Sequence, residues 1–202
     1  KGGKKPTLSE VETESRWGHK QNDALALYGH SLLDSIAKGE VNYSDLSGQM
    51  KAEMIYLSAY FERVRFATME DVGAWEEGMG LRTSSVGLVT SYLERFSEGW
   101  ADVSNKSAGI EREFFKKLRQ EWTNGLINEH LDKFILENKN LSMSSDDVAK
   151  ILYQAVTRIP RAIDNAYKML YQRLGISINA DGSRQYSDVR ESENRGADAA
   201  IL

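Results

Sequence analysis

The sequence predicts an all-α fold. Three observations lead there. Prolines are scarce, with only Pro6 and Pro160 in 202 residues. Apolar residues recur at spacings of three and four over most of the chain. β-branched alternation, the signature of strands, is sparse. The length suits one domain with a sizeable core, and we read residues 1–202 as a single domain. Helices that follow one another with loops at alternate ends suggest an array of α-hairpins or an α/α toroid.

The helices can be taken in order. Residues 1–15 are polar and irregular. The first helix is expected from about Asn22 or Asp23, either of which can cap it, to Lys38, with Gly39 as its stop. Its Leu25, Ala26, Leu27, Leu32, Leu33 and Ile36 cover more than a narrow stripe, which predicts a well-buried helix. A second helix is expected from about Asp45 to Phe66, through Leu46, Met50, Met54, Ile55, Leu57, Tyr60, Phe61 and Val64. A third should run from about Ser85 to Phe96 through Val86, Val89, Tyr92 and Leu93, with Ser84 or Ser85 as N-cap. Ser107 can cap a fourth, carrying Ile110, Phe114, Leu118 and Trp122 and continuing past Gly125 to Phe134. Ser144 or Ser145 followed by Asp146 and Asp147 is a strong helix start, because acids favour the first turn. That fifth helix reads to Leu174, with a kink or restart at Pro160 and Gly175 as its stop. Near residues 176–190, Ile176 and Ile178 alternate ahead of Asn179-Ala180-Asp181-Gly182, which reads as a short β-hairpin or an ordered loop. A last helix is expected from about Arg195.

Composition excludes several function classes. The net charge of -4 and the absence of a basic face argue against nucleic-acid binding. No apolar run is long enough to span a bilayer, so no membrane partner is expected, and no signal-peptide h-region is present. There are no cysteines, hence no disulfides and no thiolate chemistry; this favours a cytoplasmic location without establishing it. His19, His30 and His130 are too widely spaced for a metal site, and no Gly-rich phosphate loop occurs. Neither a metal nor a cofactor is expected. Tyr60, Phe61, Tyr167 and Tyr171 read as core. The run Glu111-Arg112-Glu113 with Lys116-Lys117 reads as a solvated face.

Two stretches carry chemistry. In the run Asp71–Gly87, the sequence Trp75-Glu76-Glu77 lies among Gly73, Gly78 and Gly80, on a loop that enters a helix. An indole covers the apolar face of a pyranose, and an acid packed against it is partly desolvated, which raises its pKa towards that of a general acid. The second stretch, Arg16-Trp17-Gly18-His19-Lys20-Gln21-Asn22-Asp23, precedes the first helix. A helix N-terminus exposes free N–H groups, and Gln21, Asn22 and Asp23 add polar side chains that can read hydroxyls. Taken singly, the first stretch is more simply a solvated loop with a Trp anchored in the core, and the second an ordinary capped helix start with a packed Trp. Together, about fifty residues apart in an array whose alternate loops share one end, they can line one pocket.

Trp17-Gly18-x-x-Gln21-x-Asp23 with Ala24-Leu25-Ala26-Leu27, and Trp75-Glu76-Glu77 followed by Ser84-Ser85-Val86-Gly87, resemble glycoside hydrolase family fifteen. That family contains the glucoamylases and the glucoamylase-like domain of the phosphorylase kinase regulatory subunits; the spelling around Trp75 leans towards the latter. The similarity covers about residues 11–98 and, weakly, the tail Gly196–Leu202. The resemblance implies an (α/α)6 toroid with its site at one end, and inverting exo-hydrolysis of α-1,4-glucosidic bonds in starch- or glycogen-like chains, which needs two carboxyls far enough apart to admit a water. By position in the motif, Glu76 is the implied general acid, Glu77 bonds sugar hydroxyls, Trp17 and Trp75 wall the glucose subsites, and Gln21 and Asp23 lie in or behind that wall. The implied partner is an α-glucan or maltooligosaccharide.

The departures also carry expectations. The family's upstream Trp-x-Arg-Asp motif is not found, and its catalytic base belongs downstream of the stretch matched by Asp198-Ala199-Ala200. Glu191 and Glu193 match no family motif. The sequence starts on Lys and stops inside an apolar run, so both ends look cut, and the 202 residues read as the central part of the toroid. Such a fragment is expected to be inactive, with an acid and no base, and to expose apolar helix faces that favour self-association. The alternative function is a non-catalytic glucan-sensing domain.

Overall fold

The computed structural model describes residues 21–71, 80–101, 109–125, 130, 145–174, 176–178 and 183–186. They form five α-helices: α1 (Asn22–Ala37), α2 (Gly48–Arg63), α3 (Thr83–Ala101), α4 (Gly109–Thr123) and α5 (Ser145–Arg173). Single 3-10 turns, Tyr43–Asp45 and Phe66–Thr68, flank α2. They account for the ends of the longer helix expected there. Two three-residue strands, β1 (Ile176–Ile178) and β2 (Arg184–Tyr186), pair antiparallel with Ile176 opposite Tyr186. The expected turn between them, Asn179–Gly182, lies outside the described residues, as do the continuation of α4 to Phe134, the stop at Gly175 and the last helix.

Helix α3 is the hub. It packs on α1, α4 and α5 and touches α2, while α5 lies along α2 as well. Its buried residues, from Thr83 through Val86, Val89, Tyr92, Leu93 and Phe96 to Gly99, follow the three-and-four spacing of a wide inward face. Tyr92 is fully buried between α1 and α2. Its hydroxyl lies 2.9 Å from Ser58 Oγ and donates to the Met54 carbonyl at 3.4 Å, so this polar atom in the aromatic core is satisfied. Around it Phe61 and Phe96 pack tilted or edge-on, and Phe115 meets Phe96 edge-on at 5.6 Å. Two glycines permit these approaches. A Cβ on Gly29 would sit 2.4 Å from Tyr92 Cε2, and one on Gly99 2.2 Å from Phe115 Cδ2.

Several sequence expectations are corrected. Helix α1 is buried along Asn22, Asp23, Ala26, Gly29, Leu32, Leu33 and Ile36 only. Leu25, Leu27 and Tyr28 are exposed, because α1 is covered by α3 and α4 on one side and lies open on the other. Helix α5 runs unbroken through Pro160, which is solvent-exposed while Ala155, Val156, Ile159 and Ile163 face inward. Packing along α2 and α3 holds the helix through the missing N–H. The charge run on α4 is not wholly solvated. Glu111 is buried and bonds Arg95 Nε at 2.8 Å, and Arg95 also pairs with Asp34 and donates to the Leu33 carbonyl at 3.0 Å, joining α3 to α1 and α4.

Gly29→Ala should lower unfolding free energy by roughly 1–3 kcal/mol, because Tyr92 is too enclosed to move aside. Gly87→Ala, on the same helix as Tyr92 but with nothing within 4 Å of its added Cβ, should be neutral or stabilising by up to about 1 kcal/mol through helix propensity. Urea unfolding midpoints of the two variants check both.

Candidate functional site

The N-termini of α1 and α3 come together at one corner of the molecule, and Asp71 lies between them. The chain runs from α2 through the Phe66–Thr68 turn to Asp71, which exchanges two backbone hydrogen bonds with Gly80, at 2.8 and 2.9 Å. This bridge is the neck on either side of residues 72–79, which include Trp75, Glu76 and Glu77. Those three residues, and Trp17, lie outside the described residues. Of the sequence-predicted site residues, Gln21 and Asp23 are described. Both are at the start of α1, where Asn22 Nδ2 donates to Met69 Sδ at 3.8 Å, two residues ahead of the neck.

The local starts differ from the expected caps. Gln21, not Asn22 or Asp23, occupies the N-cap position of α1, and its side chain makes no capping bond. Asn22 and Asp23 are turned inward, 2% and 4% exposed. Likewise Ser84 and Ser85 lie inside the first turn of α3 and are buried, with the helical bonds beginning at the Arg82 carbonyl, which accepts from Val86 N–H. The tertiary contact between the two helix starts overrides the usual role of these residues as exposed caps.

The corner is rich in buried polar groups. Asn22 Oδ1, Asp23 Oδ1, both Asp71 carboxyl oxygens, Thr83 Oγ1 and Ser85 Oγ are buried without a hydrogen bond of ordinary geometry. Buried polar atoms are normally satisfied, so such a cluster marks a place where ordered water or a ligand completes the bonding. Asp71 is fully buried. Loss of hydration pushes its carboxyl up to about 6, and the charge of Asp23 adds to the rise. The Ser85 hydroxyl, the Asn22 N–H and the charge of Arg82 oppose it. The two helix N-termini, which favour negative charge, sit on the opposing side too. A buried acid with a raised pKa beside a second acid is a recurrent feature of functional sites. Among the described residues no group of three His, Cys, Asp or Glu side chains could hold a metal ion.

Sequence reasoning singled out the run that begins at Asp71 but gave Asp71 itself no part. Its signal, one acid between Glu70 and Val72, is indistinguishable from a surface acid until the neck and the two helix starts are seen together. A separate open groove of about 530 Å³ lies at the other end of α1, lined by Ile36, Val41, Tyr43, Ile110 and Phe114. The length of α1 puts it some 24 Å from the corner, at about 1.5 Å per residue, so the two are distinct features.

Comparison with known proteins finds a partial likeness. Over 70 residues the chain is 37% identical to an uncharacterized lipoprotein, YgeQ, of Escherichia coli (strain K12); the match covers 33% of this chain and 26% of that protein. No family model matches the chain. No solved structure matches it. Among the described residues no helix is long and apolar enough to cross a membrane.

The Asp71 carboxyl gives a pH-dependent prediction. Its folded pKa, about 6, is above the unfolded value near 3.8, so between those limits the folded state binds the extra proton and stability falls as pH rises. Above about pH 6 the full penalty applies, on the order of 3 kcal/mol at 1.36 kcal/mol per unit. Asp71→Asn should therefore gain on the wild type by up to that amount between about pH 4 and pH 7.5, read as the difference between their urea midpoints at each pH.

Proposed function

We propose that this corner belongs to the sugar-handling end of a glucoamylase-type glycoside hydrolase, acting with inversion on α-1,4-glucosidic bonds at the ends of starch- or glycogen-like chains. The observation that carries the reading is the meeting of the two sequence stretches. The start of α1, which follows Trp17 and carries Gln21 and Asp23, lies against the neck of the loop that carries Trp75, Glu76 and Glu77. The described residues that border two Trp-and-acid segments far apart in sequence thus meet at one corner, which supports a pyranose site lined by both. Buried acceptors and hydroxyls at two helix N-termini suit a ligand made of hydroxyl groups. The exposed Leu25, Leu27 and Tyr28 of α1 fit a helix with one face left for further elements.

In this reading Glu76 protonates the glycosidic oxygen, Glu77 bonds sugar hydroxyls, and Trp17 and Trp75 stack on the glucose rings. Gln21 and Asp23 fix the wall behind them. A water attacks from the opposite face, activated by a base that the rest of the toroid supplies. The second reading is a glucan-sensing domain without turnover. It is favoured by the spelling Gly73-Ala74-Trp75-Glu76 with Ser84-Ser85-Val86-Gly87, which resembles the phosphorylase kinase branch of the family.

The test uses a chain carrying these residues within the complete toroid, assayed on maltoheptaose beside Glu76→Gln. Loss of the general acid should lower kcat by about a hundredfold or more; an unchanged rate removes Glu76 from that role. Saturable quenching of tryptophan fluorescence by maltooligosaccharide in a protein that releases no glucose selects the sensing domain instead.

A further inference from the structure

We propose that the groove at the C-terminal end of α1 binds a small amphipathic carboxylate, with an alkyl chain seated in the groove and the charged end at Lys117. The inference is independent of the carbohydrate reading above, and every residue it uses is described. At about 530 Å³ the groove is within the range of small-molecule sites. The end of α1, the segment from Val41 to Ser44 and the first half of α4 enclose it. Its floor is Ile36 and Phe114, 1% and 3% exposed, so an occupant rests directly on the core. Half-buried Val41 and Tyr43 flank that floor, and Ile110 stands over it 53% exposed. Covering Ile110 and Val41 together removes contiguous apolar surface from water, which favours an apolar occupant.

The polar groups around the groove decide which end an occupant needs. Asn42 donates to the Asp45 carboxylate through its backbone N–H at 3.1 Å and its Nδ2 at 2.9 Å, and Ser44 Oγ donates to the same carboxylate at 3.4 Å. Those donors are committed, and the Asp45 charge is answered by them. The Tyr43 ring is engaged as well. Lys51 Nζ lies 4.0 Å from its centroid, and Phe114 meets it edge-on at 5.2 Å. Lys51 is itself paired with Glu121 at 3.3 Å, and Glu113 is paired with Lys116 at 3.8 Å. Lys117 is left. Among the described residues it has no ion-pair partner, and its ammonium stands 5.9 Å from the Tyr43 ring, at the outer edge of a cation–π contact. A ligand made of hydroxyls would meet committed hydrogen-bonding side chains here, and a flat aromatic one would compete with the cation over Tyr43. An alkyl chain needs neither partner. A single carboxylate at its end complements the compact point charge of one lysine.

The experiment titrates octanoate and, separately, octanol into the protein and follows backbone amide shifts by NMR. The wild type is compared with Lys117→Gln, Ile110→Asn and Leu27→Asn, all at exposed positions. Octanoate should shift the amides of Val41, Ile110 and Phe114 saturably and bind roughly threefold tighter than octanol, the scale of one exposed ion pair. Lys117→Gln should abolish that preference and leave octanol binding unchanged. Ile110→Asn should weaken both ligands by about tenfold. Leu27→Asn, on the open face of α1, should change neither. If neither ligand shifts the groove amides saturably, the site is overturned. Equal affinity for the two ligands in the wild type, or a preference that survives Lys117→Gln, overturns the part given to Lys117. Loss of binding in Leu27→Asn puts the ligand on the open face of α1 and overturns the groove. The comparison of octanoate with octanol needs no variant, so a substitution that harms folding does not spare the proposal.

Discussion

Much of the arrangement depends on how closely α1 can approach α3. That approach is set by Gly29, whose missing side chain leaves room for the ring of Tyr92. Tyr92 in turn fills the space between α1 and α2, and its hydroxyl finds Ser58 and the Met54 carbonyl on α2, so one side chain of α3 fixes two helices. Arg95, one turn on, repeats the theme with charge. It bonds buried Glu111 of α4 and the Leu33 carbonyl of α1. Leaving Glu111 buried without Arg95 would be strongly unfavourable, so the pair specifies where α4 sits as well as contributing to stability.

The corner at the helix starts follows from that approach. With α1 held against α3, their N-termini lie side by side, and the segment leaving α2 must pass between them to reach α3. Asp71 is the residue that arrives there. Its backbone is satisfied by Gly80, but its carboxyl meets Asp23, an amide N–H and a hydroxyl in a place without water enough to solvate it. A chain selected for stability alone would place an apolar residue at such a point. Two carboxyls and three further polar side chains are buried there, where burial is costly, a pattern that recurs at functional sites.

The helices were legible in the sequence because periodicity reports burial directly. On α5 the period runs through Leu152, Ala155, Val156, Ile159, Ile163 and Leu170, all buried, and through Val148, Ile151, Tyr167 and, just past the helix end, Leu174, which are half-buried at the edges of that face. Gly39 stops α1 in a left-handed conformation, φ 72°, for the same local reason that the sequence suggested it. Where several readings of one residue were locally sound, periodicity could not choose. Asn22, Asp23, Ser84 and Ser85 are all good caps, and in this fold all four are buried instead. Leu25 and Leu27 look as apolar as Leu32 and Leu33, yet only the latter two face α3 and α4.

What the sequence by itself determined is local: where helices form and which stretches hold chemistry-bearing residues in a recognisable order. Backbone propensity, the spacing of apolar side chains and motif order act over a few residues and survive without knowledge of neighbours. What only the tertiary structure decided is which polar groups lose their water. Asp71 and Glu111 read as surface acids, and become buried because α3 packs against their segments. Desolvation is a property of the surroundings and not of the residue, so the proton affinity of Asp71, and with it the character of the corner, is set by packing between segments that the sequence keeps far apart.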